Sequence, residues 1–145
     1  MKKNIYLLFL TTIIISCSSS DNNNASSGCL NPPSWLLGSW VHYYSNGTET
    51  YIDSKIVITN NDVVYYDYQS DGNLAGTPLS VKDSYCANSS LYVVNQESNN
   101  DFYMWNYTFA STIAYHYFYK LSSTSFSYDN FASGADPDGY VYVKE

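Results

Sequence analysis

From residue 38 onward the apolar positions of this chain alternate with polar ones, the period of strands that bury one face. Runs rich in β-branched and aromatic residues recur at 38–44, 48–52, 55–59, 63–68, 91–96, 102–110, 113–121, 125–129 and 140–144, with clusters of Asn, Asp, Gly and Ser between them. "SNG" at 45–47 and "NND" at 60–62 are hairpin signals, and "GADPDG" at 134–139 makes a longer turn. Residues 69–90 lose the alternation and admit at most one irregular edge strand near Leu79 to Ser84. Eight or nine short strands in sequence predict an all-β fold, a closed barrel or a sandwich, and connections of hairpin length favour a small antiparallel up-and-down β-barrel of about eight strands.

The first residues follow a different rule. Met1, Lys2, Lys3 and Asn4 precede "IYLLFLTTIII", an apolar run of eleven residues. A helix needs about 20 apolar residues to cross a bilayer, so this run behind a basic start reads as the apolar part of a secretory signal. It ends in "IISC" at 14–17, which resembles the lipobox of bacterial lipoproteins. That resemblance implies a signal peptide over residues 1–16, cleavage before Cys17 and acylation of that cysteine. The "SSSDNNNASSG" tract that follows has no large apolar side chain and reads as part of a flexible tether over residues 17–31. As a random coil its eleven residues reach about 20 Å. A single domain over residues 32–145 remains.

Removing residues 1–16 leaves four lysines against thirteen acidic residues, a formal charge of −9, with no arginine anywhere. Phosphate contacts need clustered Lys or Arg, so nucleic acid is excluded as a partner. Anionic lipid headgroups are excluded on the same ground, and any membrane attachment falls to acyl chains on Cys17.

"PSWLLGSWVHYYSNGTETY" at 33–51 resembles the start of the small lipocalin-like domains of lipoproteins from Bacteroidetes, and "YHYFYKLSSTSFSYDNF" with "GYVYVKE" is similar to their late strands. The resemblance implies that Gly38 and Trp40 open the first strand and that Trp40 closes the floor of the barrel. There are two departures: those domains set an arginine against the tryptophan and end with a helix, whereas this chain has no arginine and its last predicted element is a strand.

Cys29 and Cys86 form an even pair in an oxidising compartment, either joined as a disulfide or left as two thiols. Tyrosine is the compositional oddity, with seventeen residues. Setting Trp40 inward carries His42 and Tyr44 inward by parity. Pointing the most polar residues outward turns Tyr66 and Tyr68 in, opposite Asp67; Tyr103, Trp105, Tyr107 and Phe109 in, opposite Asn106 and Thr108; and Tyr115, Tyr117 and Tyr119 in, opposite His116 and Lys120. His42, Tyr66, Tyr68, Trp105, Tyr107 and Tyr117 are the candidate ligand-lining residues. An aromatic interior is either a filled core or the wall of a pocket for a small apolar or ring-bearing ligand. Reversed parity gives an exposed stripe suited to a protein or glycan partner.

Signals of catalysis are few. No nucleophile elbow, His-Glu-x-x-His or Cys-x-x-Cys motif occurs, so no catalytic, metal-ligating or cofactor-binding residue is assigned. Parity places His42 and His116 on opposite faces. "DPDG" at 136–139 lacks the distal ligands of a calcium loop and reads as turn chemistry. The acid pairs Asp53 with Glu49 and Asp67 with Asp71 have the residue types to flank a sugar bond. The expected protein is an outer-membrane lipoprotein with a non-catalytic binding or accessory domain. The alternatives are a surface adhesion or complex subunit and, behind it, an enzyme.

Overall fold

The computed structural model describes residues 29–130 and 139–145. The apolar run, the lipobox with Cys17, nearly all of the tether and most of the "GADPDG" turn lie outside the described residues.

Among the described residues nine strands form one antiparallel sheet: β1 (Gly38–Ser45), β2 (Thr50–Ile58), β3 (Val63–Asp67), β4 (Leu79–Ser80), β5 (Tyr92–Ser98), β6 (Phe102–Phe109), β7 (Thr112–Lys120), β8 (Ser125–Asp129) and β9 (Tyr140–Lys144). Their order in space is β4-β3-β2-β1-β9-β8-β7-β6-β5, so two meanders run outward from the β1–β9 ladder. The fold is all-β and barrel-like, as the alternation predicts, but the sheet curls into a half-barrel of nine strands rather than a closed barrel of about eight. Its open side lies between β4 and β5, where the short helix α1 (Val81–Ser84) and a 3₁₀ turn at Cys86–Asn88 connect the two edges.

Two local readings change. The runs at 48–52 and 55–59 are one strand, β2, whose pairing with β1 shifts register between His42 and Tyr43. His42 faces Ser54 and Tyr43 faces Ile52, so Asp53 is the extra residue of a bulge, and the polar "DS" that suggests a break marks that bulge instead. The irregular edge near Leu79 to Ser84 pairs for two residues only and then turns helical. Ser80 caps that turn by accepting from Asp83 N, and the Asp62 carboxylate takes both the Ser80 hydroxyl and the Lys82 amide.

Half of the interior is filled. Trp40, Ile56, Ile58, Val63, Tyr103, Phe118 and Phe126 pack as one buried cluster at the end that holds the β2–β3, β5–β6 and β7–β8 turns. This end is the floor. Leu30 and Leu36 plug it from below, and the Trp40 indole N–H donates to Leu36 O at 2.8 Å. No arginine exists to stand against Trp40; Lys144 Nζ lies 5.2 Å from its ring centre. Gly38 opens β1 at φ +132, a conformation L side chains rarely adopt, and a Cβ there would come within 3.2 Å of Lys144 Cε.

The chain reaches the domain at the floor. Asn31 N donates to Gln96 Oε1, the Trp35 indole N–H donates to Asn99 O in the β5–β6 turn, and Lys120 Nζ stands 5.7 Å over the Trp35 ring. A disulfide joins Cys29 to Cys86, with Cα atoms 5.6 Å apart, and closes a loop of 57 residues. It fastens the start of the domain to the segment that bridges the open side of the sheet.

Candidate functional site

Above the packed floor the described residues leave space between them. A cavity of about 360 Å³ opens toward the end that carries the β1–β2 and β6–β7 turns. Its deep wall is made by Tyr65 on β3, His116 on β7, Tyr128 on β8 and Tyr142 on β9, with Ser54 on β2. Its mouth carries Asp53, Asp67, Leu79, Asn130 and Tyr140. The period of 2 explains this division. On β2, β3, β7 and β8 the residue two places toward the floor is a core residue: Ile56 below Ser54, Val63 below Tyr65, Phe118 below His116, Phe126 below Tyr128.

The deep wall is held by hydrogen bonds and ring contacts. The Trp105 indole N–H, which can only donate, reaches Tyr65 Oη at 3.2 Å. The Tyr65 ring in turn lies against Tyr128, with centroids 5.8 Å apart. The Tyr128 oxygen lies 2.7 Å from His116 Nδ1, which accepts from the Tyr128 hydroxyl in the Nε2–H tautomer of the neutral ring. Burial keeps it neutral, lowering the His116 pKa to about 4. The imidazole lies flat on Trp105, centroids 4.0 Å apart and planes 1° from parallel. Its Nε2 then carries the proton. Among the described residues no protein group engages that nitrogen and no buried side-chain nitrogen or oxygen lacks a partner, so Nε2 opens onto the cavity.

Tyr142 completes the wall by sharing a 2.8 Å hydrogen bond with Ser54 Oγ. Burial pushes its pKa up to about 12 and raises those of Tyr65 and Tyr128 as well. All three phenols therefore stay protonated at neutral pH. A neutral histidine and neutral phenols, each tied to a neighbour, make a rigid polar lining rather than an acid–base pair.

His42 is not among the lining residues but stands beside Asp53, with Nδ1 2.8 Å from Val141 O and Nε2 3.9 Å from Asp53 Oδ1. Its ring meets Tyr140 edge-on and lies tilted against Tyr142. Asp67 sits across the β2–β3 ladder from Ser54.

The placements of the sequence candidates differ by strand. On β1 and β6 the expected faces hold: Trp40, Tyr103 and Trp105 are buried, His42 points toward the cup, and Tyr107 stacks on Tyr85 from the α1 segment at 4.2 Å. Tyr44 and Phe109, at the ends of their strands, are about half exposed. On β3 and β7 parity is reversed. Tyr66 is paired with Lys55, whose ammonium holds Glu145 on the outer surface, and Tyr68 lies on the same side. Tyr65 faces inward in their place. Tyr115, Tyr117 and Tyr119 also face outward, stacked 5.7 and 6.4 Å apart along β7, while His116 and Phe118 point in. His42 and His116 thus share the interior instead of lying on opposite faces. Asp53 and Asp67 meet at the mouth, whereas Asp71 is turned to Asn73 in its own loop. No three His, Cys, Asp or Glu side chains among the described residues gather closely enough to hold a metal ion.

No family model, curated protein or solved structure matches this chain.

Proposed function

We propose that this protein is a lipid-moored, non-catalytic binding module of the outer membrane whose cup takes up a small, ring-bearing molecule. One observation carries the reading: the barrel-like sheet is packed at one end only, and the cavity of about 360 Å³ above the packing is walled by aromatic rings whose hydroxyls are already satisfied. Small-ligand sites have this composition, largely preformed and mostly apolar with a few fixed polar groups. The glycine at positive φ and the Trp40 floor support kinship with lipocalin-like lipoprotein domains. Mooring rests on the sequence, through acyl chains on Cys17.

Native mass spectrometry of the full-length protein extracted in mild detergent tests the cup. The expected result is a co-purifying small molecule that is absent from Ser54→Trp, in which the indole fills the cavity from its wall. A wild-type protein that carries no occupant, and binds neither indole nor benzyl alcohol at millimolar concentration, would remove the reading. Mooring is tested separately: Cys17→Ala is expected to leave the membrane fraction and to incorporate no labelled palmitate.

A second reading has its own observation. The outward rings of Tyr115, Tyr117 and Tyr119 line up along β7 with Phe102 beside Tyr117 and Tyr119, a contact strip of the type that recognition surfaces use. On that reading the protein is an adhesion or complex subunit. Tyr115→Ser with Tyr117→Ser would then abolish partner capture and leave occupancy of the cup unchanged.

A further inference from the structure

We infer that the occupant of the cup is an organic cation, a protonated or quaternary amine on a ring-sized body, with its charge between Asp53 and Asp67 at the mouth. The inference rests on the cup being a binding site and goes beyond it to the chemistry of what binds.

Two carboxylates are brought to the cavity by separate devices of the fold. Asp53 is the extra residue of the β2 bulge, and Asp67 is the last residue of β3, level with Ser54 across the ladder. Both act on the cavity itself: each disfavours ionisation of the Tyr142 phenol, and Asp67 does the same to Tyr128. Neither carboxylate meets a lysine. Lys55 is taken by Glu145 on the outer surface, Lys120 and Lys144 lie at the floor against Trp35 and Trp40, and no lysine lines the cavity. Among the described residues the basic group beside Asp53 is His42, held by Val141 O with its other nitrogen 3.9 Å from that carboxylate.

The cavity therefore offers two carboxylates at its rim and the rings of Tyr65, Tyr128, Tyr140 and Tyr142 along its walls, with no lysine among its lining residues. Ring faces and carboxylates both attract a cation, and they do so more strongly in a partly dehydrated site than in open water. An anion would meet two like charges there. A neutral molecule of the same shape gains only the apolar contact.

The test is a matched series on the full-length protein in detergent: benzylammonium, benzyl alcohol and benzoate, followed through the Trp105 indole N–H resonance, which reports on the Tyr65 end of the wall. Benzylammonium is expected to bind at least about fivefold more tightly than benzyl alcohol, with benzoate weakest. In Asp53→Asn with Asp67→Asn the preference should fall to within about twofold while benzyl alcohol binding persists. In wild type, 0.5 M NaCl should weaken the ammonium alone, a check that requires no variant. Equal affinities in wild type, or a preference that survives the double substitution, would overturn the inference and leave the cup as a neutral site. If none of the three binds, the cup itself is not a binding site and both readings fall.

Discussion

At the scale of single residues, the interior is defined by which polar atoms have partners. Tyr128 is the test case, because its hydroxyl meets a buried histidine. Tyr128→Phe leaves the buried His116 Nδ1 without its hydroxyl partner, at an expected cost of about 1–3 kcal/mol. Tyr117→Phe, on the outer stripe, should change stability by less than about 0.5 kcal/mol. Urea midpoints at constant slope compare the two, and equal shifts would contradict the assignment of faces. His116 adds a pH signature. Its folded pKa of about 4 lies below the ordinary 6.5, so the unfolded chain binds the extra proton between those values. The neutral ring's contribution is thus fully present above pH 6.5 and is lost as pH falls through 4, a change on the order of 3 kcal/mol. His116→Phe should flatten that part of the stability profile relative to wild type, and superimposable slopes would show that the ring titrates normally.

At the scale of elements, the alternation made most strands legible but not always their faces. β6 was readable because Asn106 and Thr108 stand opposite a run of rings. β7 offers rings on both faces, and the rule of pointing polar residues outward misplaces it: His116 is inside because Trp105 and Tyr128 satisfy it, whereas the outward tyrosines keep their hydroxyls near water. β3 fails for a related reason. Asp67 faces the same way as the core residue Val63, but it lies at the lip of the cup, where the interior is wet. Polarity marks a face in mid-strand and loses that meaning at a rim. The mouth was invisible in the sequence for the same reason, since Asp53 and Asp67 are brought together by a bulge and a ladder rather than by spacing. The floor was more legible, through Gly38 and Trp40. Gly38→Ala should cost about 1–2 kcal/mol in a denaturant titration, from positive φ and the approach to Lys144. A neutral effect would mean that the first strand opens without strain on its backbone.

At the scale of the whole molecule, a half-barrel with an open side depends on what holds its edges. The Cys29–Cys86 disulfide ties the start of the domain to the segment between β4 and β5 and constrains 57 residues of the unfolded chain, worth about 4 kcal/mol in the chain-entropy account. Cys29→Ser with Cys86→Ser should lower the melting temperature accordingly, and an unchanged midpoint on reduction would remove the bond from the account of stability. The same corner sets a direction. The backbone meets the domain beneath Trp40, on the side away from the cavity mouth. Held at Cys17, the domain would turn its opening toward the aqueous phase. A solute dissolved among acyl chains would have to escape them and travel around the sheet to enter, whereas one arriving by diffusion through water would meet the two aspartates first. On the proposed mooring and uptake, such a vessel would sample the surrounding liquid and ignore the membrane beneath it.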